Sequence, residues 1–167
     1  MKRLGFIGFS GSGKTSLAET AAKSGFKAVD SDALIELDLP GCAEKMLGDG
    51  REEDFRKVET SVIRGILKSD FQFVAFGGGV HYGHSVWSDI YKSGLKLIYL
   101  RSSFENLQNR FAERPLYKKL GQDGYRKLYE TRCPLYEKAA SFVVDTDERG
   151  LNEIWSEVEE IWNLLFQ

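Results

Sequence analysis

The chain predicts an α/β fold, a five-stranded parallel sheet flanked by helices. Three observations carry that expectation. Short apolar runs alternate with longer amphipathic ones along the 167 residues, a rhythm that lays parallel strands under crossover helices. A glycine-rich stretch, Gly8-Phe9-Ser10-Gly11-Ser12-Gly13-Lys14-Thr15, stands between the first apolar run and the first helical one. The second and third runs end in Asp30-Ser31-Asp32 and Gly77-Gly78-Gly79, at the strand ends where open parallel sheets bind ligands.

In order, residues 2–7 read as a short strand and Thr15 to Lys23 as a helix stopped by Ser24-Gly25. Phe26 to Val29 is the second strand, delivering Asp30 and Asp32, and Ala33 to Leu37 a short helix. Pro40-Gly41 breaks the chain before another helical piece from Ala43 to Leu47, and Gly48-Asp49-Gly50 is a turn. From Glu52 to Lys68, Phe55, Val58, Val62, Ile63, Ile66 and Leu67 recur at helical spacing, which predicts one long amphipathic helix. Phe71 to Phe76 is the third strand, 84 to 92 a helix, Leu95 to Leu100 the fourth strand and Phe104 to Phe111 a helix. A polar, broken stretch through Gly124 precedes a helix from Tyr125 to Ala140, kinked near Pro134, and Phe142 to Val144 is the fifth strand. The last helix carries Leu151, Ile154, Trp155, Val158, Ile161, Trp162 and Leu165 on one apolar stripe.

Size and balance narrow the function classes. The length suits one domain over 1–167. Hydrophobic residues at 42% and charged ones at 29% are ordinary for a globular protein. A net charge of −2 argues against a general nucleic-acid or membrane-surface binder. No apolar run is long enough to span a bilayer and no signal-like start is present, which leads to an expectation of a cytoplasmic protein. Cys42 and Cys133 are isolated and read as reduced bystanders. His81 and His84 lack the company a zinc site needs and read as polar loop residues.

The glycine loop fits G-x-x-x-x-G-K-[ST]. Its glycines let consecutive N–H groups turn toward a polyphosphate, Lys14 adds a mobile charge for the terminal phosphates, and Thr15 offers a hydroxyl to Mg²⁺. A helix beginning near Lys14 aims its positive end at the same anion. The third strand ends in glycines and brings no acid to the metal. Asp30 and Asp32 replace it, pointing opposite ways from extended backbone, one toward the metal and one toward a second substrate; an Asx cap by Asp32 on the helix at Ala33 is the plain alternative. Three glycines together let backbone approach a ligand closely. Arg56 lies one turn before Glu59, which could orient it. Arg114 and Arg132 complete a set suited to a carboxylate and to migrating phosphoryl charge, although any one of them could serve a salt bridge. The basic segment from Arg110 to Arg132 suggests a cationic flap over the phosphates.

Six stretches in order make the chain resemble the shikimate kinase family: Gly8 to Thr15, Asp30-Ser31-Asp32 with Ile35-Glu36, Phe55-Arg56 with Glu59, Gly77 to Gly79, Arg114-Pro115-Leu116, and Arg132 with Leu135-Tyr136. The resemblance implies a P-loop kinase fold with sheet order 2-3-1-4-5, a monomer, and transfer of phosphate from ATP to the 3-hydroxyl of shikimate with Mg²⁺. It implies that Gly11, Ser12, Gly13, Lys14, Thr15, Ser16, Arg110 and Arg114 bind ATP, with Arg110 against the adenine. Thr15 and Asp30 would serve the metal. Asp32 would be the base, with Lys14 and Arg114 the other catalytic groups. Arg56 and Arg132 would grip the substrate carboxylate, and Gly78 and Gly79 would back its ring. Residues 31–62 would form the acceptor-binding segment and 111–124 the lid.

The chain departs from the family pattern in a short Arg110–Arg114 interval, in Leu39-Pro40-Gly41-Cys42-Ala43, in Arg51 before Glu52, and in Phe76 before the glycines. These touch the acceptor pocket and lid. Two other functions therefore stay open: a related kinase of gluconate or a nucleoside monophosphate, and a non-catalytic nucleotide switch. An N-K-x-D guanine signature is missing from the sequence, and a switch would leave Asp32 and the arginines without a use.

Overall fold

The computed structural model describes residues 2–111 and 113–166. Strands β1 (Leu4–Ile7), β2 (Ala28–Asp30), β3 (Phe73–Ala75), β4 (Lys96–Arg101) and β5 (Phe142–Asp145) form one sheet in the order β2-β3-β1-β4-β5. Every pairing is parallel, with Phe6 opposite Ala75 on one side and Ile98 on the other. The helices are α1 (Lys14–Lys23), α2 (Ser31–Asp38), α3 (Cys42–Gly48), α4 (Glu52–Lys68), α5 (Trp87–Lys92), α6 (Phe104–Leu107), α7 (Pro115–Ala139) and α8 (Leu151–Phe166), with a 3₁₀ turn over Gln108–Arg110.

Alternation along the strands splits the core in two. Leu4, Phe6, Phe73, Ala75, Ile98 and Leu100 face α1 and α8, where Trp155 and Trp162 are buried. Ile7, Val74, Phe76, Leu97 and Tyr99 face the opposite side with residues of α4, α5 and α7. The stripe on α8 buries as expected except at its N-terminal end, where Leu151 is 41% exposed. A third, smaller cluster joins Ile35, Cys42, Leu47 and Phe55 beside the sheet, with Leu116 of α7 packed on it.

One side chain ties the fold's far edge. Arg3, buried, donates to the carbonyls of Leu67, Ile66 and Phe71, satisfying the end of α4 and the approach to β3 with a single guanidinium.

Two expectations change in the region of α7. The stretch expected to be broken and polar through Gly124 is helical from Pro115, with Arg114 as an extended N-cap. Proline at the first helical position loses no bond there and presets the backbone. The break falls at Gly121 (φ 67°, ψ −178°) rather than near Pro134, through which the helix continues. A lone proline removes one hydrogen bond, whereas Gly121 adopts a backbone setting that side chains resist. Elsewhere the boundaries move by a few residues: the helix expected over 84–92 begins at Trp87, and the one expected over 104–111 shortens to α6 and the 3₁₀ turn. Among the described residues no helix is long and apolar enough to cross a membrane.

Candidate active site

The glycine loop lies between β1 and α1, at the carboxyl edge of the central strand. Gly8, Gly11 and Gly13 all take positive φ, at 147°, 86° and 97°, and a side chain at Gly8 would sit 2.7 Å from the Leu100 carbonyl oxygen. The loop therefore depends on glycine for both conformation and clearance. Lys14 bends back across it, and its Nζ donates to the Gly8 and Phe9 carbonyls, each at 2.8 Å. Burial lowers the Lys14 pKa to about 8, against the pull of Asp32 and Asp30.

Asp30 ends β2 and divides its two oxygens. Oδ1 accepts from the N–H groups of Asp32 and Ala33, capping α2. Oδ2 accepts from Thr15 Oγ1 at 2.6 Å. The helix cap thus belongs to Asp30 and not to Asp32, which leaves the Asp32 carboxylate free of that duty. Its position explains the first glycine of the triplet, because a Cβ on Gly77 would lie 2.5 Å from Asp32 Oδ1. Asp32 lines both cavities, where water reaches the residue but protein atoms crowd its carboxylate on most sides. Desolvation, reinforced by Asp30 and Glu59, raises its pKa to about 6 in spite of Lys14 and Arg114 nearby.

Arg56, on α4, is stacked against the third glycine: a Cβ on Gly79 would fall 2.0 Å from Arg56 Nη1. The same nitrogen donates to Glu59 Oε2 at 2.7 Å, while Nη2 reaches Glu52 Oε1 at 3.2 Å. Glu59 is buried, and burial alone would raise its pKa; the hydrogen bond from His84 and the Arg56 charge outweigh this and hold it below the usual carboxylate range. Arg132, on the shaft of α7, donates to the Gly78 carbonyl at 3.1 Å, and the Tyr136 hydroxyl donates to the same oxygen. Each glycine of the triplet consequently faces a different functional group.

Two cavities meet at this point. One, about 250 Å³, runs along Gly11, Gly13, Lys14, Thr15 and Ser16. The other, about 300 Å³, is bounded by Ile35, Phe55, Arg56, Gly79, Leu116 and Arg132 among others. Ser10, Asp32, Gly78 and Arg114 border both. Arg114 borders both cavities and lies close enough to Asp32 for its charge to act on that carboxylate across the junction. Ser12 lies behind the loop, buried, with its Oγ 3.5 Å from Lys14 Nζ. Arg110 borders neither cavity; its Nη1 donates to the Gly11 carbonyl at 3.1 Å.

The basic segment divides by role. Arg126 pairs with Glu105 and lies over the Phe104 ring at 4.2 Å, and Lys118 pairs with Glu113. Arg110 and Lys119 donate to the Gly11 and Leu47 carbonyls, and Arg114 and Arg132 are the cations of the segment that line the cavities. Ala112, inside the expected lid, lies outside the described residues. Sequence reasoning missed Tyr125, which is buried and borders the larger of the two cavities beside Ser10. It also missed His84, whose side chain is in contact with Glu59 rather than waiting in solvent at a loop. No local pattern marks either residue, because their partners lie far away in sequence.

The family profile described as shikimate kinase matches residues 10–162. The chain belongs to the shikimate kinase family. Family members from Thermodesulfovibrio yellowstonii and Dehalococcoides mccartyi are similar to it: the first is 34% identical, covering 98% of both chains, and the second 32% identical, covering 94% of this chain and 91% of the other. In fold, the chain matches the shikimate kinase from Acinetobacter baumannii in complex with shikimate at a TM-score of 0.83 and 22% identity, over 99% of this chain and 95% of that one. The sheet order expected from the family resemblance is the order observed.

Proposed function

We propose that the protein transfers the γ-phosphoryl group of ATP to the 3-hydroxyl of shikimate. Family membership supports the reaction, and one observation supports the site: the cradle and the ring-sized cavity share Asp32 and Arg114 at their junction. A phosphoryl group passing between two bound molecules must cross such a border.

In this reading the loop N–H groups, Lys14 and Ser16 hold the triphosphate, with Arg110 steadying the loop at Gly11 on the nucleoside side. Arg56 and Arg132 receive the substrate carboxylate as charge-assisted donors, and Gly78 and Gly79 let the ring lie against backbone. Asp32 accepts the hydroxyl proton as oxygen attacks phosphorus; a carboxylate with a pKa about 6 is mostly ionised at neutral pH yet basic enough to take it. Lys14 and Arg114 balance charge on the migrating group. Residues 111–124 act as the lid, its helical part before Gly121 running over 115–120, and residues 31–62 as the acceptor segment.

Mg²⁺ fits the donors present. Thr15 Oγ1 and Asp30 Oδ2 are 2.6 Å apart on the cradle side, and among the described residues there is no cluster of three or more His, Cys, Asp or Glu that could cage a metal. A hard cation that keeps its waters and leans on phosphate oxygens needs no more than this pair. Bound there, it would neutralise phosphate charge. The same reading makes the protein a cytoplasmic monomer working on two small molecules, without a nucleic-acid or membrane partner.

The test is ADP release with and without acceptor. Shikimate is expected to stimulate release strongly over the ATP-only rate. Stimulation by gluconate or a nucleoside monophosphate but not by shikimate would overturn the substrate assignment, and nucleotide binding with no acceptor-dependent turnover would favour a switch.

A further inference from the structure

Glu59 carries more than its neighbour on α4. Its side chain is 1% exposed and accepts two hydrogen bonds on the same oxygen, Oε2: one from Arg56 Nη1 at 2.7 Å and one involving His84 Nε2 at 2.9 Å. The His84 side chain is 5% exposed. Its other nitrogen, Nδ1, faces the backbone N–H of Val86 at 3.2 Å and accepts from it. A nitrogen that accepts holds no proton, so the ring proton sits on Nε2 and is donated to Glu59. The loop that presents His84 is fixed to α4 a second time, by Thr60 Oγ1 and Ser85 Oγ at 2.7 Å.

The geometry points to His84 as a positioning residue for the acceptor carboxylate, acting through Glu59 on Arg56. This rests on the functional reading above. A buried carboxylate held by one arginine could rotate toward other donors; a second donor of fixed direction, on a loop pinned by its own backbone, leaves Oε2 one place to be. Arg56 is then held by Glu59 at one nitrogen, by Glu52 at another, and by the Gly79 backbone on its face. Its remaining N–H donors are presented to the ring cavity in one orientation. The chain His84–Glu59–Arg56 spans the loop after β3, α4 and the cavity wall, so that loop contributes to acceptor binding at a distance as well as through Gly78 and Gly79.

Two conservative variants separate positioning from simple support. His84→Gln keeps an N–H near the place of Nε2, whereas His84→Asn keeps only an acceptor near the place of Nδ1 for Val86. With His84→Ala, the shikimate KM is expected to rise about tenfold while the ATP KM stays within about twofold. His84→Gln should recover most of that loss and His84→Asn little of it. Equal recovery by both, or parallel rises in the two KM values, would reduce His84 to a prop for the Val86 turn and overturn the proposal. A readout without acceptor guards against confusion with the functional assignment: ¹⁵N relaxation at Arg56 Nε should show an ordered side chain in the parent protein and in His84→Gln, and a mobile one in His84→Ala. Unchanged order in His84→Ala would refute the positioning role even if the parent phosphorylated some other acceptor. Absence of shikimate turnover with the ordering intact would strike the substrate assignment alone.

Discussion

The two halves of the site are built on opposite plans. The proposed phosphate cradle comes from one short stretch, Gly8 to Ser16, a glycine-shaped backbone loop with Lys14 folded across it. The ring cavity takes side chains from α2, α4, α7 and the loop after β3. A cradle of backbone is fixed once its glycines are in place and would accept any polyphosphate of the right length. A pocket of side chains must be aligned by further side chains, and its specificity is set by how well they are held. The difference teaches that damage to the first half should act on nucleotide and acceptor together, and damage to the second on the acceptor alone.

Asp32, on the border, gives the hardest test. Asp32→Asn should cut kcat by about 10³-fold, in the range of general-base contributions, with ATP binding by calorimetry little changed; a modest loss would remove it as the base. The sign of its effect on stability is opposite. A carboxylate whose folded pKa is raised from 3.8 to about 6 binds its proton more tightly folded than unfolded, so it costs stability as pH climbs through that window. At pH 7 the Asn variant should therefore melt higher than its parent, and a lower midpoint would contradict the raised value.

Arg56→Ala belongs wholly to the side-chain half. Losing charge-assisted donors to a carboxylate should raise the shikimate KM about a hundredfold with the ATP KM unmoved; a rise in both would break the division. Gly79→Ala probes the same group from the other side, since the new methyl would displace a guanidinium 2.0 Å away. The long arginine side chain can yield, so an increase of about tenfold, again for shikimate only, is expected from losing part of its hydrogen bonding. The smallest effect is a pH profile. kcat/KM should rise through about pH 6 as Asp32 loses its proton and fall through about pH 8 as Lys14 loses its charge. Asp32→Asn should erase the acidic limb and leave the basic one.

The same contrast decides what the sequence could reveal. The cradle is contiguous, so its spacing announces it, as does the pairing of Arg56 with Glu59 three residues on. Asp30 and Asp32 stand at the strand end the sequence predicts, but α2 begins at Ser31, two residues before the expected Ala33, and that earlier start makes Asp30 the cap. The triple glycine was legible as close approach, though not what approached: Asp32 at Gly77 and Arg56 at Gly79 are tertiary contacts. His84 and Tyr125 left no pattern because their partners, Glu59 and Ser10, lie far off in the chain. The segment after Arg114 was misread because polar residues and two glycines mask a helix that packs only Leu116 and Tyr117 inward.

That helix ends at Gly121, and its torsions have a mechanical meaning. Residues 115–120 form a preformed rod, joined to the shaft bearing Arg132 at a single glycine and touching α3 at its own far side, where Lys119 donates to the Leu47 carbonyl. A floppy flap would have to freeze about 1–2 kcal/mol of backbone freedom per residue each time it shut. A rod on a swivel needs only to turn. On the lid reading proposed above, brevity in this part of the chain is thus no handicap: a short lever carrying Arg114 would have almost nothing left to order.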